Sequence, residues 1–194
     1  MNLVTQTAPN FVAPAILKNG NIINEFNFKQ NIKNQFTVLF FWPMDFTFVC
    51  PTEIISFNEL YPEFKKRNTE IIGVSKDSVF VHKAWQNLSI QKGGIGKINY
   101  TMVSDIKGEI QDSYDVTHPN MGIALRATFV IDKNWIIRHQ VINDLPFGRN
   151  IKDILRMVDA ITFHEKHGDV CPANWETGKT SIHPSEEGLK KYYQ

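Results

Sequence analysis

The sequence predicts an α/β domain built on a largely parallel or mixed central sheet. Three observations point there. Short continuous apolar runs alternate with amphipathic segments along most of the chain. Hydrophobic residues make up 42% and charged residues 21% of 194 positions, an ordinary balance for a globular domain. No stretch approaches the roughly 18 consecutive apolar residues that a membrane span requires. The length suits one generous domain, or one domain with an extended arm.

The elements follow in order. Thr37 to Trp42 is a continuous apolar run, suited to a strand buried on both faces, and Pro43 stops it because proline cannot donate to a sheet ladder. Pro51-Thr52-Glu53 reads as a helix start, with proline at the first helical position and an acid at the positive end of the macrodipole. Ile54, Phe57, Tyr61 and Phe64 follow at helical spacing, and Pro62 is expected to kink that helix. Glu70 to Ser75 reads as a strand, Val79 to Ile90 as a helix and Tyr100 to Ser104 as a third strand. Ala127 to Asp132 and Trp135 to Ile142 read as two strands joined by a tight turn at Lys133-Asn134. Asn150 to His167 is the clearest amphipathic helix, and Gly168 is placed to end it.

From Val170 the character changes. Pro172, Gly178, Pro184 and Gly188 among polar residues describe an arm, closed by a short helix near Ser185 to Tyr193. Residues 1–169 are therefore expected to form the main domain and 170–194 the arm. With 14 phenylalanines, the core should be rich in aromatic packing.

Composition excludes several functions. Lys plus Arg total 21 against 20 acids, a formal net charge of +1, so no general attraction to nucleic acid or anionic membrane is expected. The N-terminal segment has no basic region followed by an apolar run, and the expected location is a reducing cytosol. Two cysteines there argue against a disulfide framework and are too few for a thiolate zinc site. What remains is inert buried thiols or redox chemistry.

Cys50 stands directly before Pro51, at the start of the expected helix, where unpaired backbone donors favour a negatively charged sulfur. By spacing alone, a reactive thiol and a buried core cysteine are equal readings. Pro43, Thr47 and Cys50 form a P-x-x-x-T-x-x-C pattern in the loop between strand and helix. Phe41-Trp42-Pro43 and Phe46-Thr47-Phe48-Val49-Cys50-Pro51-Thr52-Glu53 closely resemble the active-site signature of the peroxiredoxins. Val170-Cys171-Pro172-Ala173 with Trp175 resembles the resolving-cysteine segment of the typical two-cysteine group, which includes alkyl hydroperoxide reductase C-type enzymes and thioredoxin peroxidases.

That resemblance covers essentially the whole chain and implies a thioredoxin-like fold, a mixed sheet flanked by helices, plus the C-terminal arm. It implies that Cys50 attacks hydrogen peroxide or organic hydroperoxides and becomes a sulfenic acid, which Cys171 of the partner subunit resolves as a disulfide. By the same resemblance Pro43 shields the thiolate and Thr47 bonds the sulfur or a peroxide oxygen. Arg126 reaches the pocket from a neighbouring strand, Glu53 holds the arginine network, and Arg149 is a second active-site arginine. No cofactor and no metal are expected. The implied partners are thioredoxin or a dedicated flavoprotein reductase, and a second copy of the chain in a homodimer that assembles into a decamer. Gly93 to Gly96 and Tyr192-Tyr193 resemble the motifs that slow disulfide formation, with Tyr where Phe is usual. His82 and Trp85 read as core packing near the pocket.

Two other classes compete. A cysteine hydrolase needs a histidine paired with its nucleophile, and none of His82, His118, His139, His164, His167 and His183 is an obvious partner. A holdase chaperone or redox relay is a binding role that can coexist with peroxidase activity.

Overall fold

The computed structural model describes residues 2–194. The described chain forms two compact units, the first reaching Ile151 and the second running Lys152–Gln194.

In the first unit, seven strands form one mixed sheet: β1 (Val12–Ile16), β2 (Ile22–Asn27), β3 (Phe36–Phe41), β4 (Thr69–Ser75), β5 (Thr101–Ser104), β6 (Arg126–Ile131) and β7 (Ile137–Asn143). Their order is β2-β1-β5-β4-β3-β6-β7. β4 runs parallel to both β3 and β5, and every other pairing is antiparallel. The helices are α1 (Phe28–Asn31), α2 (Cys50–Lys66), α3 (Val79–Asn87), α4 (Glu109–Ser113), α5 (Ile151–His167) and α6 (Glu186–Tyr192).

β3 lies next to the middle of the sheet, and all six of its residues are buried, as its unbroken apolar run requires. Phe40 stacks on Phe57 of α2 with ring centroids 4.2 Å apart, and Phe41 meets Phe129 of β6 edge to face at 6.1 Å. Burying each such ring contributes about 1.5–3 kcal/mol, so the Phe40–Phe57 stack anchors the middle of α2 to β3, while Phe41 and Phe129 pack on the opposite face of the sheet.

α2 continues through Pro62 to Lys66. α3 is shorter than its apolar spacing suggested. It ends at Asn87, Leu88 turns extended, and a 3-10 turn covers Ile90–Lys92. Trp135 lies outside β7 because it adopts a left-handed φ of 68°, while the Asp132 carboxylate accepts from Asn134 N and Ile136 N to close the turn. The hairpin of β1 and β2 was not expected from the sequence. Its first strand contains Pro14, which sits where the register shifts between Ala13 and Ala15.

In the second unit, α5 buries Ile154 and Val158. Gly168, with φ 75°, ends the helix through its N–H to the His164 carbonyl at 2.8 Å. Ser185 caps α6 by accepting from Gly188 N.

Candidate active site

The site begins where β3 ends. Trp42 still donates its backbone N–H to Val74 O, 3.1 Å away, and the chain then leaves the sheet through Pro43 to Val49. This loop is braced from beneath. Asp45 is buried and accepts from Trp42 Nε1 at 2.8 Å, its other oxygen lies 2.7 Å from His82 Nδ1, and its backbone N–H donates to Asp77 Oδ2 at 2.9 Å. Burial raises the Asp45 carboxyl above its ordinary range, against the hydrogen bond and charge of His82. Phe46 takes a left-handed φ of 56°, and its ring lies 5.6 Å from that of Trp85. A bulky residue holds that conformation only where its surroundings impose it.

The loop delivers Cys50 as the first residue of α2, fully buried, with Pro51 next in the first turn. Arg126, at the start of β6, points its Nη1 at Cys50 Sγ from 3.4 Å. The same nitrogen donates to Glu53 Oε2 at 2.8 Å, and Nε donates to the Leu145 carbonyl at 2.7 Å. Glu53 lies one helical turn after Cys50, so its carboxylate and the sulfur meet the same guanidinium.

Arg149 completes the group. Its Nε and Nη2 grip the two oxygens of Glu53 at 2.8 and 2.7 Å, and its backbone N–H donates to Oε1 at 2.9 Å. Its Nη1 donates to Ala127 O at 2.8 Å and Thr128 Oγ1 at 3.2 Å. The guanidinium also lies 5.1 Å from the Phe40 ring centroid and 5.8 Å from that of Phe57. Burial alone would raise the Glu53 carboxyl; the hydrogen bonds and charge of Arg149 and the charge of Arg126 outweigh it and hold it below the ordinary range.

The structure thus gathers Cys50, Glu53, Arg126 and Arg149. Pro43 is buried in the same loop, and Thr47 donates its hydroxyl to the Met44 carbonyl at 2.9 Å rather than to the sulfur. His82 and Trp85 are fully buried, and His82 serves the loop through Asp45. Sequence reasoning passed over Asp45, although an acid between Pro43 and Thr47 in an apolar stretch was a visible signal. It also passed over the Leu145 and Ala127 carbonyls, which no residue type announces. Gly93 to Gly96 is a tied loop rather than a loose one: Trp85 Nε1 donates to Gly93 O at 2.9 Å, and Gly96 N donates to Leu88 O at 3.2 Å. Cys171 lies in the second unit, half-buried, and both cysteines are free thiols.

A model of the AhpC/TSA family matches residues 4–140, most of the chain and all of the site except Leu145 and Arg149. The chain belongs to the AhpC/TSA family. It is a peroxiredoxin, a thiol-dependent peroxidase of antioxidant defence. The C-terminal domain of 1-Cys peroxiredoxin matches residues 160–194, which in this peroxiredoxin hold a second cysteine, Cys171. Alkyl hydroperoxide reductase C of Buchnera aphidicola subsp. Acyrthosiphon pisum is 66% identical, covering 99% of this chain and 98% of that protein. A mitochondrial thioredoxin-dependent peroxide reductase of Drosophila melanogaster is 45% identical over 98% of this chain and 81% of its own. The reduced 2-Cys peroxiredoxin of Plasmodium vivax superposes with a TM-score of 0.95 at 44% identity, covering 100% of this chain and 99% of that one. The expected thioredoxin-like mixed sheet flanked by helices is therefore the fold of this peroxiredoxin. Among the described residues, no helix is long and apolar enough to cross a membrane.

Proposed function

We propose that this peroxiredoxin reduces hydrogen peroxide and organic hydroperoxides through Cys50, with Cys171 of the partner subunit as the resolving thiol. The observation that carries the reading is the 3.4 Å approach of Arg126 Nη1 to Cys50 Sγ at the first turn of α2. The Cys50 thiolate attacks one peroxide oxygen in line. An S–O bond forms as the O–O bond breaks, and the departing oxygen takes a proton to leave as water or alcohol. The sulfur is oxidised to sulfenic acid and the peroxide is reduced.

Arg126 meets the charge that develops on the oxygens, and Thr47, turned from Met44, supplies a hydroxyl to them. Pro43 keeps water from the sulfur. Glu53 and Arg149 are positioning residues, which act by holding the Arg126 guanidinium at the sulfur. Cys171 then condenses with the sulfenic acid and water leaves. Thioredoxin or a dedicated flavoprotein reductase supplies the two electrons that return both thiols. Residues 1–169 carry the peroxide chemistry, and residues 170–194 are the arm that brings the resolving thiol.

Two surface features support a homodimer that assembles further into a decamer. β7 ends the sheet order; residues 5–7 already bond its edge at Ile137, and the edge beyond that point is a template for pairing with a second chain. Phe46, Phe48 and Phe80 are 50%, 95% and 73% exposed, apolar area that association would cover. Two free thiols suit a cytoplasmic location.

The test is non-reducing gel electrophoresis after one equivalent of hydrogen peroxide, with wild type, Cys50→Ser and Cys171→Ser. A disulfide-linked dimer for wild type alone, with peroxide consumption lost in Cys50→Ser, is expected. A wild type that stays monomeric and leaves peroxide untouched refutes the reading.

A further inference from the structure

We propose that Asp169 is a positioning residue for the resolving step, a latch that keeps the Cys171 segment closed and so sets how fast Cys171 reaches a sulfenic acid. This rests on the reading of Cys171 as the resolving thiol.

Val170 and Ile182 exchange both backbone hydrogen bonds, at 2.9 and 3.0 Å, and close residues 170–182 into a loop. Asp169 stands at the foot of that closure and ties it three ways. Its Oδ2 accepts from Ser181 Oγ at 2.8 Å, its Oδ1 lies 3.2 Å from His183 Nδ1, and its backbone carbonyl lies 2.8 Å from His164 Nδ1 on α5. One residue therefore joins the two ends of the loop to each other and to the helix. The hydrogen bonds of Ser181 and His183 hold its carboxyl below the ordinary range, so the latch is charged at neutral pH.

What the latch encloses is the thiol. Cys171 Sγ donates to the Ala160 carbonyl of α5 at 3.6 Å. Arg156 Nη1 holds the Trp175 carbonyl at 3.2 Å, and the Trp175 ring packs on Phe163 with centroids 4.8 Å apart. Burial raises the Cys171 thiol and the charge of Asp169 raises it further, with the charge of Arg156 opposing. A disulfide requires a second sulfur at about 2.05 Å in a restricted geometry. Cys171 can accept one only after its sulfur leaves the Ala160 carbonyl, which needs the loop to loosen.

Two reactions then compete for Cys50 sulfenic acid. In one, the Cys171 thiol attacks: an S–S bond forms, the S–O bond breaks, and the hydroxide leaves with the thiol proton as water. In the other, a second peroxide transfers an oxygen to the sulfur, giving sulfinic acid and water or alcohol. Tightening the latch favours the second outcome, and releasing it favours the first.

The test uses the full chain as wild type, Asp169→Ala and the double variant Ser181→Ala/His183→Ala. Each is mixed rapidly with hydrogen peroxide, quenched by thiol alkylation and read by mass spectrometry for sulfenic, disulfide and sulfinic forms. The rate of sulfenic acid formation should be unchanged in all three. Disulfide formation should rise roughly threefold to tenfold in both variants, as loss of partly exposed hydrogen bonds to a charge would give. The sulfinic fraction should fall in step. The double variant keeps the Asp169 charge beside Cys171, so it decides the matter if Asp169→Ala disturbs folding or speeds the reaction by easing ionisation of the thiol. Disulfide formation that is unchanged or slower, with normal sulfenic acid formation, overturns the latch. A wild type that forms no sulfenic acid at Cys50 overturns the peroxidase reading itself, and the latch with it.

Discussion

Arg149 holds both carboxylate oxygens of Glu53, with Nε 2.8 Å from Oε1 and Nη2 2.7 Å from Oε2, while Glu53 Oε2 also accepts from Arg126 at 2.8 Å. One buried anion thus sits between two buried guanidinium groups, with side-chain exposures of 2%, 1% and 5% for Glu53, Arg149 and Arg126. The cation facing Cys50 owes its position to this carboxylate.

Glu53→Gln leaves two buried cations without their shared anion. Removing one partner of a buried ion pair costs about 3–5 kcal/mol, and that loss is expected in urea unfolding. The rate of peroxide consumption should fall as well, because Arg126 loses the contact that fixes Nη1. An unfolding midpoint equal to wild type would show that Glu53 does not carry the cluster.

The same carboxylate predicts an acid dependence. Its folded pKa lies below the ordinary 4.5, so its contribution is complete above that value and is lost as pH falls through the folded one. Urea midpoints measured from pH 6 down to pH 3 should drop more steeply for wild type than for Glu53→Gln. Asp45, shifted upward by burial, acts in the opposite direction and is common to both proteins.

Arg126→Lys keeps the charge and loses the fork. A single ammonium cannot serve Cys50, Glu53 and the Leu145 carbonyl together, as the guanidinium does. The second-order rate of Cys50 with hydrogen peroxide, measured by competition, should fall by about 10²–10³, the loss typical of one oxyanion donor. A rate within twofold of wild type would remove Arg126 from the chemistry.

Gly94→Ala tests the tied glycine loop. A Cβ there would lie 2.1 Å from the Leu88 carbonyl oxygen, which is backbone and cannot swing aside. The Gly93 to Gly96 segment must then leave the end of α3. Hydrogen exchange should quicken at Ile95 and Gly96, whose N–H groups donate to Trp85 O and Leu88 O. Unchanged protection there would mean that the chain accommodates the methyl elsewhere.

Much of this was legible beforehand because it is local. β3 reads as a buried strand since all six residues are apolar or β-branched, and α2 reads as a helix since its proline, acid and apolar spacing agree. The hairpin of β1 and β2 was not legible. Pro14 interrupts β1, Val12 and Ile22 face outward, and only pairing with β2 on one side and, at Ala15 and Ile16, with β5 on the other makes that segment a strand. α3 was read too long because apolar spacing continues past Asn87, whereas Leu88 turns out to pack its carbonyl against Gly94.

The site divides in the same way. By itself, the sequence determined the loop from Pro43 to Cys50, the helix that begins at the sulfur and Glu53 one turn later, because these are near neighbours whose relation depends on helical spacing alone. Only the tertiary structure decided that Arg126 and Arg149 converge on Glu53. They stand 73 and 96 positions further along the chain: Arg126 meets it because β6 pairs with β3 in register and brings its first residue beside the end of β3, and Arg149 reaches it while bonding Ala127 and Thr128 of that same strand. Local spacing cannot set such a contact; sheet pairing and burial of both guanidinium groups with one carboxylate can.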